Sequence, residues 1–204
     1  MNPELLWVLI PTIAAISLTP GMCMTLAFTL GLSQGYRQTL WMMWGELAGV
    51  ATVVTSCVLL LAWIQSLSPI YFSALALIGG TYLLWIAYRL WTQPAHFERG
   101  EGQPQLAPIA LVGLGYTTAV MNPKGWGFMI ALLPGFISPE YSRPQQLAAF
   151  LSVMLPSEFL FMSLYASGGS GLRRLLSNDK QLARLNKISA TLMVFVAALV
   201  LTKL

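Results

Sequence analysis

The sequence predicts an all-α polytopic membrane protein of six transmembrane helices, arranged as two inverted three-helix repeats whose first helices are broken. Three observations carry that prediction. The chain of 204 residues is 56% hydrophobic and only 9% charged, against roughly 45–50% and 25% in soluble domains. Apolar stretches of the ~20 residues that cross a bilayer recur from end to end. Two of those stretches are interrupted, by Thr19-Pro20-Gly21 and by Asn122-Pro123-Lys124, at places half a chain apart.

The spans fall at 5–32, 39–64, 70–91, 109–136, 146–167 and 186–203. Residues 1–204 then form a single transmembrane domain, with a first repeat at 1–91, a polar connection at 92–108 and a second repeat at 109–204. The first span does not read as a cleaved signal, because it opens on Glu4 instead of a basic segment and its apolar run is too long. The second carries Glu46 beside a seam of small residues at helical spacing, Gly45, Gly49, Thr52 and Ser56. Such a seam lets another helix approach closely, either within the chain or in a homodimer. The third span is uninterrupted. The fifth contains Glu158, and the sixth is the shortest.

Basic residues give the orientation. Arg37, Arg89, Arg99, Arg173, Arg174, Lys180, Arg184 and Lys187 flank the odd-numbered connections, whereas Arg143 and Lys203 lie on the other side. The rule that cytoplasmic loops are enriched in Lys and Arg places 92–108 and 171–187 in the cytoplasm and both termini outside. Residues 171–187 read as a short amphipathic helix at the inner surface. The net charge of +4 is thus spent on topology and not on nucleic acid. The single His96 sits in a loop, and Cys23 and Cys57 lie in separate spans, so no metal site, cofactor or structural disulfide is implied.

The two interruptions have a specific chemistry. Thr-Pro and Asn-Pro are helix-start signatures, with Thr or Asn at N-cap and Pro at the first helical position. Each broken span then reads as two half-helices, the second starting inside the membrane. Backbone N–H groups and the positive end of a helix dipole collect at such a start and favour an anion. Thr19, Pro20, Gly21, Asn122, Pro123 and Lys124 are therefore the candidate substrate-binding residues. Matching breaks in two halves are also the sequence pointer to a transporter site near the midplane. Glu46, Glu158 and Lys124 would each cost about 2.5–3.5 kcal/mol at a helix centre on insertion scales, so they should face a cavity or a partner. Either carboxylate could hold a substrate ammonium or the coupling proton.

Pro20-Gly21-Met22 with Gly31, Gly35, Gly45 and Gly49 resembles the N-terminal signature of the LysE/RhtB amino-acid exporters. Asn122-Pro123-Lys124, followed by Phe128 and Pro134-Gly135-Phe136, is similar to the motif of their second half. Met22 replaces a second proline, Thr39 stands where glycine is frequent, and Val50 stands where aspartate is common, with Glu46 one turn earlier. The resemblance covers essentially the whole chain. It implies a multi-pass protein of the bacterial inner membrane that exports amino acids or close derivatives by proton antiport, and not an enzyme.

The residues fit that expectation. A zwitterion needs an anion site for its carboxylate and a negative partner for its ammonium. No Walker-type nucleotide motif occurs, which points to a gradient instead of ATP. Two alternatives compete. A membrane thiol–disulfide reductant would use Cys23 at the first break, yet 122–127 supplies no matching cysteine. A metal or inorganic-ion exporter would want His, Cys or clustered carboxylates, and the spans offer scattered single residues. Trp44, Trp126, Phe128, Met129 and Tyr165 are candidates for substrate selectivity. Trp7, Trp41, Trp63, Trp85, Tyr88 and Trp91 read as interface-belt or packing residues.

Overall fold

A computed structural model describes residues 3–18, 21–67, 69–92, 106–137, 140–168 and 179–201. Every element among them is helical, with no strand. In chain order they are α1 (Pro3–Leu18), α2 (Met22–Gln34), α3 (Tyr36–Leu67), α4 (Pro69–Thr92), α5 (Pro108–Val120), α6 (Pro123–Phe136), α7 (Arg143–Ala166) and α8 (Asp179–Leu201).

Proline starts many of these helices and ends none. Pro3, Pro69, Pro108 and Pro123 open α1, α4, α5 and α6, and Pro144 is the second residue of α7. The missing N–H of a first-turn proline is one that the helix could not have used. At the α2–α3 junction Gly35 has φ +82°, a region that side-chain-bearing residues avoid. The backbone N–H and the hydroxyl of Thr39 both donate to the Gly35 carbonyl, at 3.2 and 3.0 Å. Thr39, fully buried, therefore secures this corner.

Among the described residues, Tyr36–Leu61 and Arg143–Ala166 are each long and apolar enough to cross a membrane. Trp7–Leu18 and Met22–Gln34 pass that test together, as one span bent by 53°. Large apolar side chains such as Leu59, Trp63, Ile70, Ile78 and Phe195 lie on the outside, as a lipid-facing surface requires. The six belt candidates from Trp7 to Trp91 are all exposed too.

Two clusters fill the inside. One gathers Leu9, Val53, Val54, Phe128, Leu132, Phe150 and Met193 from α1, α3, α6, α7 and α8. The other gathers Met24, Phe28, Met42, Met43, Leu111 and Tyr165 from α2, α3, α5 and α7. α3 packs closely on α5, α4 on both α6 and α8, and α7 on α1, α2 and α3. Glycine makes the α3–α5 contact possible. A Cβ on Gly45 would fall on the Val112 carbonyl oxygen, and one on Gly115 would fall on that of Met42. The Gly45–Gly49 seam is thus closed inside the chain by α5. It does not extend as expected: Thr52 is exposed and bonds only to its own helix, at Ala48.

Residues 5–32 and 109–136 are each divided between two helices, as their interruptions at 19–21 and 122–124 predict. Other boundaries differ from the sequence expectation. α2 begins at Met22 with Gly21 at N-cap, so Pro20 is not its first residue. Thr19 and Pro20 themselves lie outside the described residues. α8 begins at Asp179 and runs without interruption to Leu201. Residues 179–187 of the expected amphipathic segment are therefore continuous with the last span, in one helix over 179–201. The signal for two came from polarity, since Lys180, Arg184 and Lys187 precede the apolar stretch, but polarity alone does not break a helix. Residues 93–105 and 169–178 of the two expected cytoplasmic connections lie outside the described residues.

Candidate functional site

Both helix breaks meet at one cavity. Its lining includes Ser17 from α1, Gly21, Cys23 and Met24 from the start of α2, Glu46 from α3, Asn122, Lys124 and Gly125 from the start of α6, and Glu158 from α7. Of the expected site residues, Gly21, Asn122, Lys124, Glu46 and Glu158 are thus brought together. Pro123 holds the first position of α6. It lies next to the cavity without lining it.

The break between α5 and α6 is built by Asn122. Its Oδ1 accepts from the Lys124 N–H at 3.1 Å, as an N-cap does, and its carbonyl accepts from the Trp126 N–H at 3.4 Å. Pro123 has no N–H to place. The Gly125 amide is then what this cap leaves over in the first turn, and Gly125 lines the cavity. The Nδ2 of Asn122 donates to Cys23 Sγ at 3.7 Å, which ties the start of α6 to the start of α2.

On the other side of each break the freed carbonyls are taken up by aromatic donors. Trp126 Nε1 donates to the Val120 carbonyl at 2.7 Å, and the Tyr165 hydroxyl donates to the Leu18 carbonyl at 2.9 Å. These two residues, expected to set selectivity, instead finish the ends of α5 and α1. Trp44, 58% exposed, stacks at a tilt on Phe159 with ring centroids 5.9 Å apart and does not reach the cavity. Phe128 and Met129 do line it.

The charged groups are withdrawn from the surface. Glu46 is 1% and Glu158 8% exposed. Ser17, only 2% exposed, donates its hydroxyl to Glu158 Oε1 at 2.9 Å. Lys124 is half-buried, with its ammonium 5.8 Å from the centre of the Phe128 ring, a distance for cation–π attraction. Glu46 Oε2 is buried with no hydrogen-bond partner among the described residues. Sequence reading missed Ser17, although it stands two residues before the Thr-Pro-Gly interruption. A hydroxyl one helical turn from a break was the available signal. Met24 and Met154 were missed as well, because methionine in an apolar run looks like any other packing residue.

Chemically, the cavity combines an ammonium, two carboxylates, a capped helix start and an uncapped one in a mostly apolar enclosure. That set can hold a small solute bearing both charges. Among the described residues no three metal-ligating side chains converge. Cys23 and Cys57 are both free, and Cys57 belongs to the apolar cluster, not to the cavity lining.

Residues 14–204 match the family described as LysE type translocator. The chain belongs to that family. A homoserine/homoserine lactone efflux protein of Salmonella typhi is 26% identical over 195 residues, covering 92% of this chain and 91% of its own. A leucine efflux protein of Klebsiella pneumoniae is 24% identical over 180 residues, 83% and 81% of the two chains. A cysteine/O-acetylserine efflux protein of Salmonella choleraesuis is 28% identical over 104 residues, about half of each. No solved structure matches. These relatives of the translocator are efflux proteins and not enzymes, and the cavity at its helix breaks is the place to look for a passage.

Proposed function

We propose that this translocator exports an amino acid or a close derivative across the bacterial inner membrane by proton antiport, through the cavity at its two helix breaks. The observation that carries the reading is the convergence of Lys124, Glu46 and Glu158 with the starts of α2 and α6 on one enclosed space. Charged side chains in an apolar bundle are expensive and mark a pathway or a site. The relatives named for homoserine, leucine and cysteine efflux support the substrate class.

In this reading the helices form six spans, as two inverted repeats in a multi-pass protein. Broken α1–α2 and α5–α6 are the equivalent first spans, with α3 matching α7 and α4 matching α8. The packing of α3 on α7 and of α4 on α8 supports such a pairing. The basic connections 92–108 and 171–187 face the cytoplasm, following the distribution of Lys and Arg. A homodimer would use surfaces other than the Gly45–Gly49 seam, which α5 already occupies.

The substrate carboxylate is received by Lys124 and the first turn of α2, where Gly21 contributes no capping side chain and the helix dipole favours an anion. The ammonium is received by a carboxylate. A carboxylate that carries either a proton or the ammonium, never both, couples outward substrate movement to inward proton movement.

The test is export from intact cells. Cells loaded with dipeptides should release particular amino acids faster when the chain is expressed, and a protonophore should remove the difference. An unchanged release profile across all amino acids, with the protein present in the membrane, refutes the exporter reading. Protonophore-insensitive export refutes the antiport.

A further inference from the structure

The cavity is polar at one end and apolar at the other, and three helices make it so in the same way. On α3, Glu46 is followed by Val50, Val53 and Val54; on α6, Lys124 is followed by Phe128 and Met129; on α7, Met154 precedes Glu158. Separations of four, five, seven and eight residues keep each set on one face of its helix. Val53, Val54, Phe128, Met129 and Met154 come together in one buried cluster. The charged residues therefore border a shared apolar wall, and the Lys124 ammonium lies 5.8 Å from the centre of its Phe128 ring.

The polar end has one conspicuous vacancy for a donor. Glu158 Oε1 already accepts from Ser17, and Asn122 Oδ1 already accepts from Lys124 N–H. Glu46 Oε2 is different: it is buried, lines the cavity and has no partner among the described residues. A buried carboxylate oxygen left without a donor is costly, and a ligand that brings one removes the cost. One such oxygen serves one ammonium.

We infer that the site selects a zwitterion with an uncharged, apolar side chain. The ammonium donates to Glu46 Oε2, the carboxylate meets Lys124 and the first turn of α2, and the side chain lies against Val53, Val54, Phe128, Met129 and Met154. Glu158, engaged by Ser17, is a positioning residue in this arrangement and not the ammonium's partner. The inference rests on the exporter reading and adds which side chains pass. A basic side chain would bring a second cation to a wall of Val, Phe and Met with no acceptor, and an acidic one would bring a second anion where Lys124 already serves the α-carboxylate.

The experiment is exchange in liposomes holding the purified full chain, preloaded with leucine and offered radiolabelled leucine outside. Methionine and valine should compete about as well as unlabelled leucine, and lysine and aspartate about tenfold or more weakly. Val53→Asp should reverse the order of leucine and lysine. Where that variant does not fold, Phe128→Ala should cost leucine about tenfold relative to alanine, since only the longer side chain uses the wall. In a Cys57→Ser background, leucine should also shield Cys23 from N-ethylmaleimide while lysine does not, a readout of occupancy independent of transport. Lysine or aspartate competing as well as leucine overturns this inference and leaves the exporter reading standing. Exchange of no amino acid, with no shielding of Cys23, overturns both.

Discussion

Ser17 and Glu158, 141 positions apart in sequence, meet in a buried hydrogen bond of 2.9 Å. The next residue, Leu18, is held by the same partner helix through Tyr165, at 2.9 Å. α7 thus grips the last turn of α1 at two consecutive residues, one by side chain and one by backbone. Ser17→Ala should lower thermal stability in detergent by the ~1–3 kcal/mol of a buried acceptor left without its donor. Combined with Glu158→Met, which has no oxygen to accept the Ser17 hydroxyl, the loss should be clearly less than additive, because both changes remove one interaction. Additive losses, measured by thermal unfolding of the purified variants, would show that the two side chains do not depend on each other.

The α3–α5 contact makes a stability prediction with its own control. Gly45→Ala should place a methyl against the Val112 carbonyl, and backbone cannot rotate away. We expect a cost of about 1–3 kcal/mol or more, as in overpacked cores. Gly113→Ala, on α5 where a Cβ meets nothing within 4 Å, should be tolerated. Membrane-inserted yield and detergent melting of the two variants decide the matter, and equal behaviour contradicts the packing described.

Glu46→Gln should abolish both gradient-driven export and substrate exchange, because an amide accepts poorly from an ammonium and cannot take up the coupling proton. Glu46→Asp should retain partial activity. Counterflow in liposomes separates the possibilities. Normal exchange by the Gln variant would remove Glu46 from the ammonium site, whatever its effect on export.

Lys124→Met should reduce transport of α-carboxylate substrates by about tenfold or more, as loss of a charge-assisted contact does. Lys124→Arg should recover only part of it. A planar guanidinium places its donors in a rigid fork, unlike the compact ammonium over the Phe128 ring. Parental export by Lys124→Met, in folded and inserted protein, would falsify the carboxylate assignment.

Much of this arrangement was legible in the sequence because membrane chemistry restricts it. A charge or a proline inside an apolar span needs a reason, so Glu46, Glu158, Lys124 and Asn122-Pro123 stood out from their surroundings. The Asn-Pro start was read correctly since Asn caps and Pro opens by local chemistry alone. At the first break the same logic put the helix start two residues early. There the cap is Gly21, which leaves no side-chain signature. The facing of Trp44, Trp126 and Tyr165 could not be read, because an aromatic residue serves equally well as wall, cap donor or outer surface. Only tertiary neighbours such as the Val120 and Leu18 carbonyls distinguish those uses.

The aromatic donors at the helix ends have a consequence for which ions the translocator can use. Around the α5–α6 break the carbonyls of Thr117, Ala119 and Val120 accept from Met121, Asn122 and Trp126, and that of Pro123 accepts from Tyr82 at 3.2 Å. Sodium-coupled carriers with broken helices bind their ion through unwound carbonyl oxygens. Here four of those oxygens already accept hydrogen bonds within the protein, which leaves fewer of them to coordinate a cation. A sodium gradient imposed without a pH difference should therefore drive no transport through it.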